Sequence, residues 1–354
     1  MTDANAAELV GLTDDEKTKL LAEARAHEAA AKGKREQAGE AEQTPRAVGD
    51  FVDAAVEQMR RRSRGDEKPI PLPWTSVAEK LNGGLWPGLT VLVGSTGSGK
   101  SQWALQVALE AARQQVPVLY VGLELGHTGL VARLLGLMAG KRWSRLFLGK
   151  DGGELEQVAE RHLPELRKLP IHLEVAPPYG WKPDRLRTAV AALCAEHAPD
   201  KYPPLVVLDF LQLVSGDKGQ PLRERIQQAA YEARAVARDY NAAVLVVSST
   251  ARDNYGTLGG TTKDERKKGS SAALPWQGPA AALVGLGKES GEVEYAADAV
   301  LTLVSEPWGT HTPPPEGTHV HMAVAKQRAG TSGWCELRFD GGRFTEPARG
   351  KRRL

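Results

Sequence analysis

Short apolar runs separated by helical stretches set the architecture of this chain. Leu89-Thr90-Val91-Leu92-Val93, Val116 to Leu123, Leu205 to Leu208 and Ala243 to Ser248 are rich in β-branched residues and nearly free of charge. That pattern predicts strands buried on both faces of a sheet. Gln102 to Ala112, rich in Ala, Leu and Gln, predicts a helix directly after the first run. Strand and helix then alternate, so the expected class is α/β, doubly wound, with a mainly parallel central sheet. A further strand is expected from Val320 to Ala325.

The amino-terminal stretch follows a different pattern. Residues 13–42 are rich in Ala, Glu, Lys and Gln, and Thr13-Asp14-Asp15-Glu16 forms a capping box at the head of a helix. With few large apolar residues, that helix builds no core of its own and reads as a solvated segment. Pro45 ends it. A second helix, Val48 to Arg62, carries Phe51, Val52, Ala55, Val56 and Met59 as an apolar stripe before Arg60-Arg61-Arg62. Lys68-Pro69-Ile70-Pro71-Leu72-Pro73-Trp74 then reads as an extended linker. The expected organisation is a helical segment (1–45), a linker helix and extended linker (46–71), a nucleotide-binding domain (72–346) and a basic tail (347–354).

Composition narrows the function classes. The 354 residues, 41% hydrophobic and 25% charged, suffice for a large core. A net charge of +2 means that any nucleic-acid surface is local rather than global. Cys194 and Cys335 make no disulfide framework, and no apolar run of about 18 residues occurs, so a cytoplasmic protein without a membrane partner is expected. His319 and His321 share a strand face without further ligands at metal spacing and read as ordinary strand residues.

The chemistry concentrates at Gly94-Ser95-Thr96-Gly97-Ser98-Gly99-Lys100-Ser101, a complete G-x-x-x-x-G-K-[ST] phosphate loop, or Walker A motif, between a predicted strand and a predicted helix. Its glycines let backbone N–H groups turn inward on phosphates at a helix amino terminus. Lys100 is expected at the β- and γ-phosphates of ATP, and Ser101 on Mg²⁺. Two acids end later strands. Glu124 is placed to activate the attacking water, and Asp209 fits a carboxylate that holds Mg²⁺. The fourth run closes on the polar pair Ser249-Thr250.

Taken in order, Gly83 to Gly88, Gly122-Leu123-Glu124-Leu125, Val207 to Leu213, Lys288-Glu289-Ser290-Gly291 and Lys326-Gln327-Arg328-Ala329-Gly330 resemble the motifs of DnaB-type replicative helicases, RecA-like ring ATPases. The resemblance covers Leu72 to Thr345. It implies a RecA-like P-loop NTPase, an ATP hydrolase with Mg²⁺ that works as a homo-oligomeric ring, typically a hexamer, and unwinds DNA 5′ to 3′ in replication. By the same resemblance Lys326 and Arg328 reach the γ-phosphate of the adjacent subunit, Lys288, Glu289, Ser290 and Gly291 track single-stranded DNA, and the helix at Val48 to Arg62 docks on a neighbour.

Three departures accompany it. Ser249 stands where the family usually has Gln. The stretch from Arg252 to Lys288 is longer than in the family and holds Lys263-Asp264-Glu265-Arg266-Lys267-Lys268, which reads equally as a nucleic-acid contact or a solvated loop. No pattern for the family's globular amino-terminal domain is present, which points to a phage, plasmid or otherwise specialised member with its own loader or primase. A second reading stays open: a RecA-like regulatory or scaffold ATPase that does not unwind DNA.

Overall fold

The computed structural model describes residues 46–177, 180–197, 201–250, 275–287, 291–305 and 317–347. The helix expected at 13–42, the basic cluster at 263–268 and residues 348–354 lie outside the described residues. Two compact units divide the chain, Met1–Ser63 and Arg64–Leu354.

In the first unit the described residues chiefly form α1 (Gly49–Arg64), which buries none of its residues. Phe51, Val52, Val56 and Met59 of the apolar stripe are all exposed. Arg46 lies over the Phe51 ring and pairs with Asp50 one turn on, so the helix start is held by local contacts.

Within the second unit the proline-rich stretch is docked rather than free. Ile70 is fully buried and exchanges both backbone hydrogen bonds with Leu85, at 2.8 and 2.9 Å. In chain order there follow α2 (Thr75–Lys80), β1 (Gly88–Gly94), α3 (Lys100–Arg113), β2 (Val118–Gly122), α4 (His127–Ala139), α5 (Trp143–Phe147), α6 (Leu155–Leu166), β3 (Ile171–Val175), α7 (Arg185–Glu196) and β4 (Leu205–Asp209). The chain continues through α8 (Leu222–Asp239), β5 (Ala243–Ser249), α9 (Gly291–Ala296), β6 (Ala299–Ser305), β7 (Thr318–Gln327), β8 (Gly333–Phe339) and β9 (Phe344–Thr345).

All nine strands join one sheet in the order β3-β2-β4-β5-β1-β6-β7-β8-β9. The strands from β3 to β6 in that order run parallel, and β7, β8 and β9 add antiparallel pairings. Strand alternation feeds two cores. Leu205, Val207, Leu245 and Val247 enter one, while Val206, Leu208, Val244 and Val246 enter the other. Both faces are therefore apolar, which is why these strands read as continuous hydrophobic runs. His321 of β7 is buried and stacks on Trp276 at 4.1 Å, a structural use in keeping with its sequence context.

Register decides what the sheet presents. Gly94 lies beside Ser249 and Leu303, and Gly122 beside Asp209. The carboxyl ends of β1, β2, β4 and β5 thus share one edge, with the phosphate loop at its centre.

Candidate nucleotide-binding site

The loop between β1 and α3 has the geometry its glycines suggest. Gly97 and Gly99 adopt φ of +81° and +88°, a left-handed backbone that favours glycine. A Cβ on Gly99 would also stand 2.8 Å from Phe344 and 3.1 Å from Phe339, so the loop rests directly on these stacked rings. Glycine is required there twice over.

Lys100 is buried at the head of α3, and its Nζ donates to the carbonyls of Gly94 and Ser95, both at 2.8 Å. Burial lowers its pKa to about 8, against the opposing pull of Asp209 and Glu124. A cation held at this cost and ringed by anion-directed backbone is suited to a polyphosphate.

Asp209 ends β4 with both oxygens engaged. Oδ1 accepts from Ser101 Oγ at 3.0 Å and Oδ2 from the Tyr120 hydroxyl at 2.7 Å. Burial raises the Asp209 pKa, while the Tyr120 and Ser101 bonds pull it down. Tyr120 itself is fully buried in β2 and its phenol is pushed well above its usual value, first by burial and then by Asp209. The backbone N–H of Leu123 donates to the Asp209 carbonyl at 2.7 Å, which ties the ends of β2 and β4 together and sets Glu124 beside Asp209.

A cavity of about 330 Å³ gathers Lys100, Ser101, Glu124, Arg133, Asp209 and Ser249 among its lining residues. Arg133 and Tyr120 were not anticipated. Arg133 comes from α4, its guanidinium lies 4.5 Å over the Trp143 ring, and its buried Nε makes no hydrogen bond. A lone cation among Leu130, Leu134, Leu135 and Leu137, and a phenol inside an all-apolar strand, are the sequence features that could have flagged them. Ser249 is braced from the side: its N–H donates to Gln212 Oε1 at 3.1 Å, and Gln212 Nε2 donates to Ser248 at 2.9 Å.

Other predicted residues fall elsewhere. Lys326 and Arg328 lie at and just past the end of β7, whose antiparallel register sets Gln327 beside Ala299, at the start of β6. The phosphate loop follows the opposite end of the parallel pair, where Gly94 meets Leu303. One chain therefore keeps these cations and its own loop at opposite ends of the sheet. Lys326 Nζ donates to the carbonyls of Glu294 and Tyr295, and burial together with Arg328 lowers its pKa. Arg328 pairs with Asp298 at 3.2 Å and donates to the Ala296 carbonyl at 3.2 Å.

Lys288, Glu289 and Ser290 lie outside the described residues, and Gly291 starts α9. Both borders of that segment are anchored. The buried Glu294 of α9 accepts from the N–H groups of Gly285 and Gly287, at 2.6 and 2.7 Å. Gly287 also bridges Thr250, whose N–H donates to the Gly94 carbonyl at 3.1 Å. A short backbone path thus joins the phosphate loop to the residue before Lys288.

Residues 75–346 match the family described as DnaB-like helicase C terminal domain. The chain belongs to this family. As a DnaB-like protein it carries the family's RecA-like ATP-hydrolysing helicase domain, and the family acts as a ring on single-stranded DNA using ATP and Mg²⁺. Among solved structures, the fold is similar to one described as an isolated ATPase domain, with a TM-score of 0.65 and 18% identity over 86% of this chain and 100% of that one. It is likewise similar to a DnaB-like replicative helicase solved for its interactions with primase, with a TM-score of 0.64 and 17% identity over 94% of this chain and 76% of that one. At such identities the likeness to this DnaB-like chain speaks for the fold. No curated protein sequence matches it. Among the described residues no helix is long and apolar enough to cross a membrane.

Proposed function

We propose that this chain is the motor subunit of a ring helicase that hydrolyses ATP to move along single-stranded DNA and separate a duplex, 5′ to 3′, in DNA replication. The observation that carries this reading is the separation of two half-sites in one chain. Lys100, Ser101, Glu124 and Asp209 line one cleft, while Lys326 and Arg328 stand at the far end of the sheet. Head-to-tail packing of identical subunits, closing as a ring of about six by family resemblance, would bring the halves together.

The cleft suits ATP with Mg²⁺, since glycine backbone and Lys100 offer positive charge to phosphates and Ser101 with Asp209 offers hard oxygen donors. Mg²⁺ would neutralise charge on the transferring phosphoryl group. Lys100 exchanges its two carbonyl partners for phosphate oxygens, and Glu124 accepts the proton of the attacking water. Lys326 and Arg328 of the adjacent subunit meet the charge that builds in the transition state. DNA runs past Lys288, Glu289, Ser290 and Gly291. The physiological setting is the cytoplasm, the element a phage, plasmid or similarly specialised replicon, and the further partners a loader or primase.

Two assays test this reading: ATP hydrolysis with and without single-stranded DNA, and unwinding of forks that differ only in which tail is free. Stimulation by DNA and use of the 5′ tail are expected. The alternative, a regulatory or scaffold ATPase, draws on Ser249 lining the cleft in place of a longer amide. Hydrolysis indifferent to DNA, with no unwinding of either fork, would select it.

A further inference from the structure

Remote from the nucleotide cleft, three ligand-bearing side chains converge. His172 lies near the start of β3, the edge strand, while Glu196 and His197 stand at the carboxyl end of α7. His172 Nε2 and His197 Nε2 are 3.0 Å apart, and Glu196 Oε1 lies 3.4 Å from His197 Nε2 and 3.9 Å from His172 Nε2. These are the edges of one small triangle. Tetrahedral zinc with bonds of about 2.05 Å has ligand–ligand edges of about 3.3 Å, so shifts of a few tenths of an ångström would seat an ion.

The backbone explains how sequence neighbours aim at one point. In a continuing helix Glu196 and His197 would splay apart by about 100°. Here α7 stops at Glu196, and His197 takes an extended backbone with φ of −124° and ψ of 93° while its N–H still donates to the Leu193 carbonyl. His197 is thereby turned toward β3. The last carbonyls of a helix also favour a cation nearby.

Chemistry separates the candidate occupants. Two facing imidazole nitrogens at 3.0 Å accommodate a single shared proton, which leaves one lone pair for one N–H and nothing for Glu196. A divalent ion uses all three donors at once. Imidazole with one carboxylate suits zinc, whereas Mg²⁺ and Ca²⁺ require more oxygens. Arg167, Lys168 and Lys201 line the same cavity, of about 780 Å³, so the Glu196 carboxylate is needed to offset the ion's charge, and the open side leaves room for a water as fourth ligand.

We propose that His172, Glu196 and His197 form a zinc site that fastens the end of α7 to the edge strand of the sheet. It is independent of the helicase reading. Full-length protein stripped with EDTA is to be titrated with Zn²⁺ against a chromophoric chelator, in saturating Mg²⁺ and ATP so that the nucleotide cleft is occupied. The wild type should take up one more equivalent than the H172Q/H197Q double variant, E196Q should bind at least about 10-fold more weakly, and zinc should raise the wild-type melting temperature but not that of the double variant. Should the double variant not fold, Co²⁺ added to wild type should give the visible absorption of a tetrahedral nitrogen and oxygen site. Equal zinc uptake by wild type and double variant, or no such Co²⁺ spectrum, would overturn the proposal and leave an imidazole–imidazole hydrogen bond only.

Discussion

The Tyr120 hydroxyl holds Oδ2 of Asp209 at 2.7 Å while Ser101 holds Oδ1 at 3.0 Å, so the carboxylate at the end of β4 is fixed in rotation from two other elements. A hydrogen bond to a charged group contributes about 1.5–3 kcal/mol. Tyr120→Phe removes one of the two interactions that keep the Asp209 pKa from rising further. Its Mg²⁺-dependent affinity for a fluorescent ATP analogue should fall about 10- to 100-fold. The acid limb of hydrolysis should also move to higher pH. Unchanged Mg²⁺ dependence would remove Tyr120 from the positioning of Asp209.

Lys100 supplies a pH test on the ligand-free protein. Its folded pKa, about 8, lies below the ordinary 10.5, so above pH 8 the unfolded chain holds more protons and this residue's contribution becomes more favourable as pH rises toward 10.5. Wild type should therefore gain stability relative to Lys100→Met across that window, by up to about 3 kcal/mol. Paired melts at a series of pH values check the slope. Hydrolysis by the variant should be lost at every pH.

Glu124→Gln retains shape and hydrogen-bonding reach while removing the proposed base. ATP should still bind, and turnover should drop about 10²- to 10⁴-fold in single-turnover measurements. Ordinary turnover would move the base to another group.

Arg328→Ala leaves the subunit's own phosphate loop intact, and Lys100→Ala leaves the distant guanidinium intact. Each alone should be inactive, and mixing them should restore hydrolysis at interfaces that pair the good halves. Subunit exchange is to be verified by fluorescence transfer between labelled chains. Exchange without recovered activity at any ratio would defeat catalysis in trans.

Lys288→Ala should weaken single-strand binding and shallow its salt dependence by about 0.7 in log–log slope, with little change in base preference. Fluorescence anisotropy on oligonucleotides of different sequence reads both quantities. Identical slopes would place the DNA path away from this segment.

Much of the cleft was legible in sequence because its parts are local. The phosphate loop is contiguous, and Glu124 and Asp209 each follow an apolar run whose end marks the sheet's carboxyl edge. Contacts across distant segments were not legible. Tyr120 meets Asp209 through the pairing of β2 with β4, and Arg133 finds Trp143 through the turn from α4 to α5, neither of which hydrophobic periodicity specifies. The docking of Ile70 against Leu85 escaped for the opposite reason: three prolines around it read as a tether, yet a strand-like pair of hydrogen bonds needs only Ile70's own N–H and carbonyl.

Thr250 bonds the Gly94 carbonyl on one side and bridges Gly287 on the other, one residue before Lys288. Under the proposed function this path is a mechanical linkage, and linkage is reciprocal. A tension on the DNA strand would then be felt as a change in how firmly the nucleotide is held, and a bound nucleotide as a change in how the strand is gripped. The motor's stall force and its nucleotide affinity would be a single property of Thr250 and its two neighbours, so neither could be tuned by mutation there without moving the other.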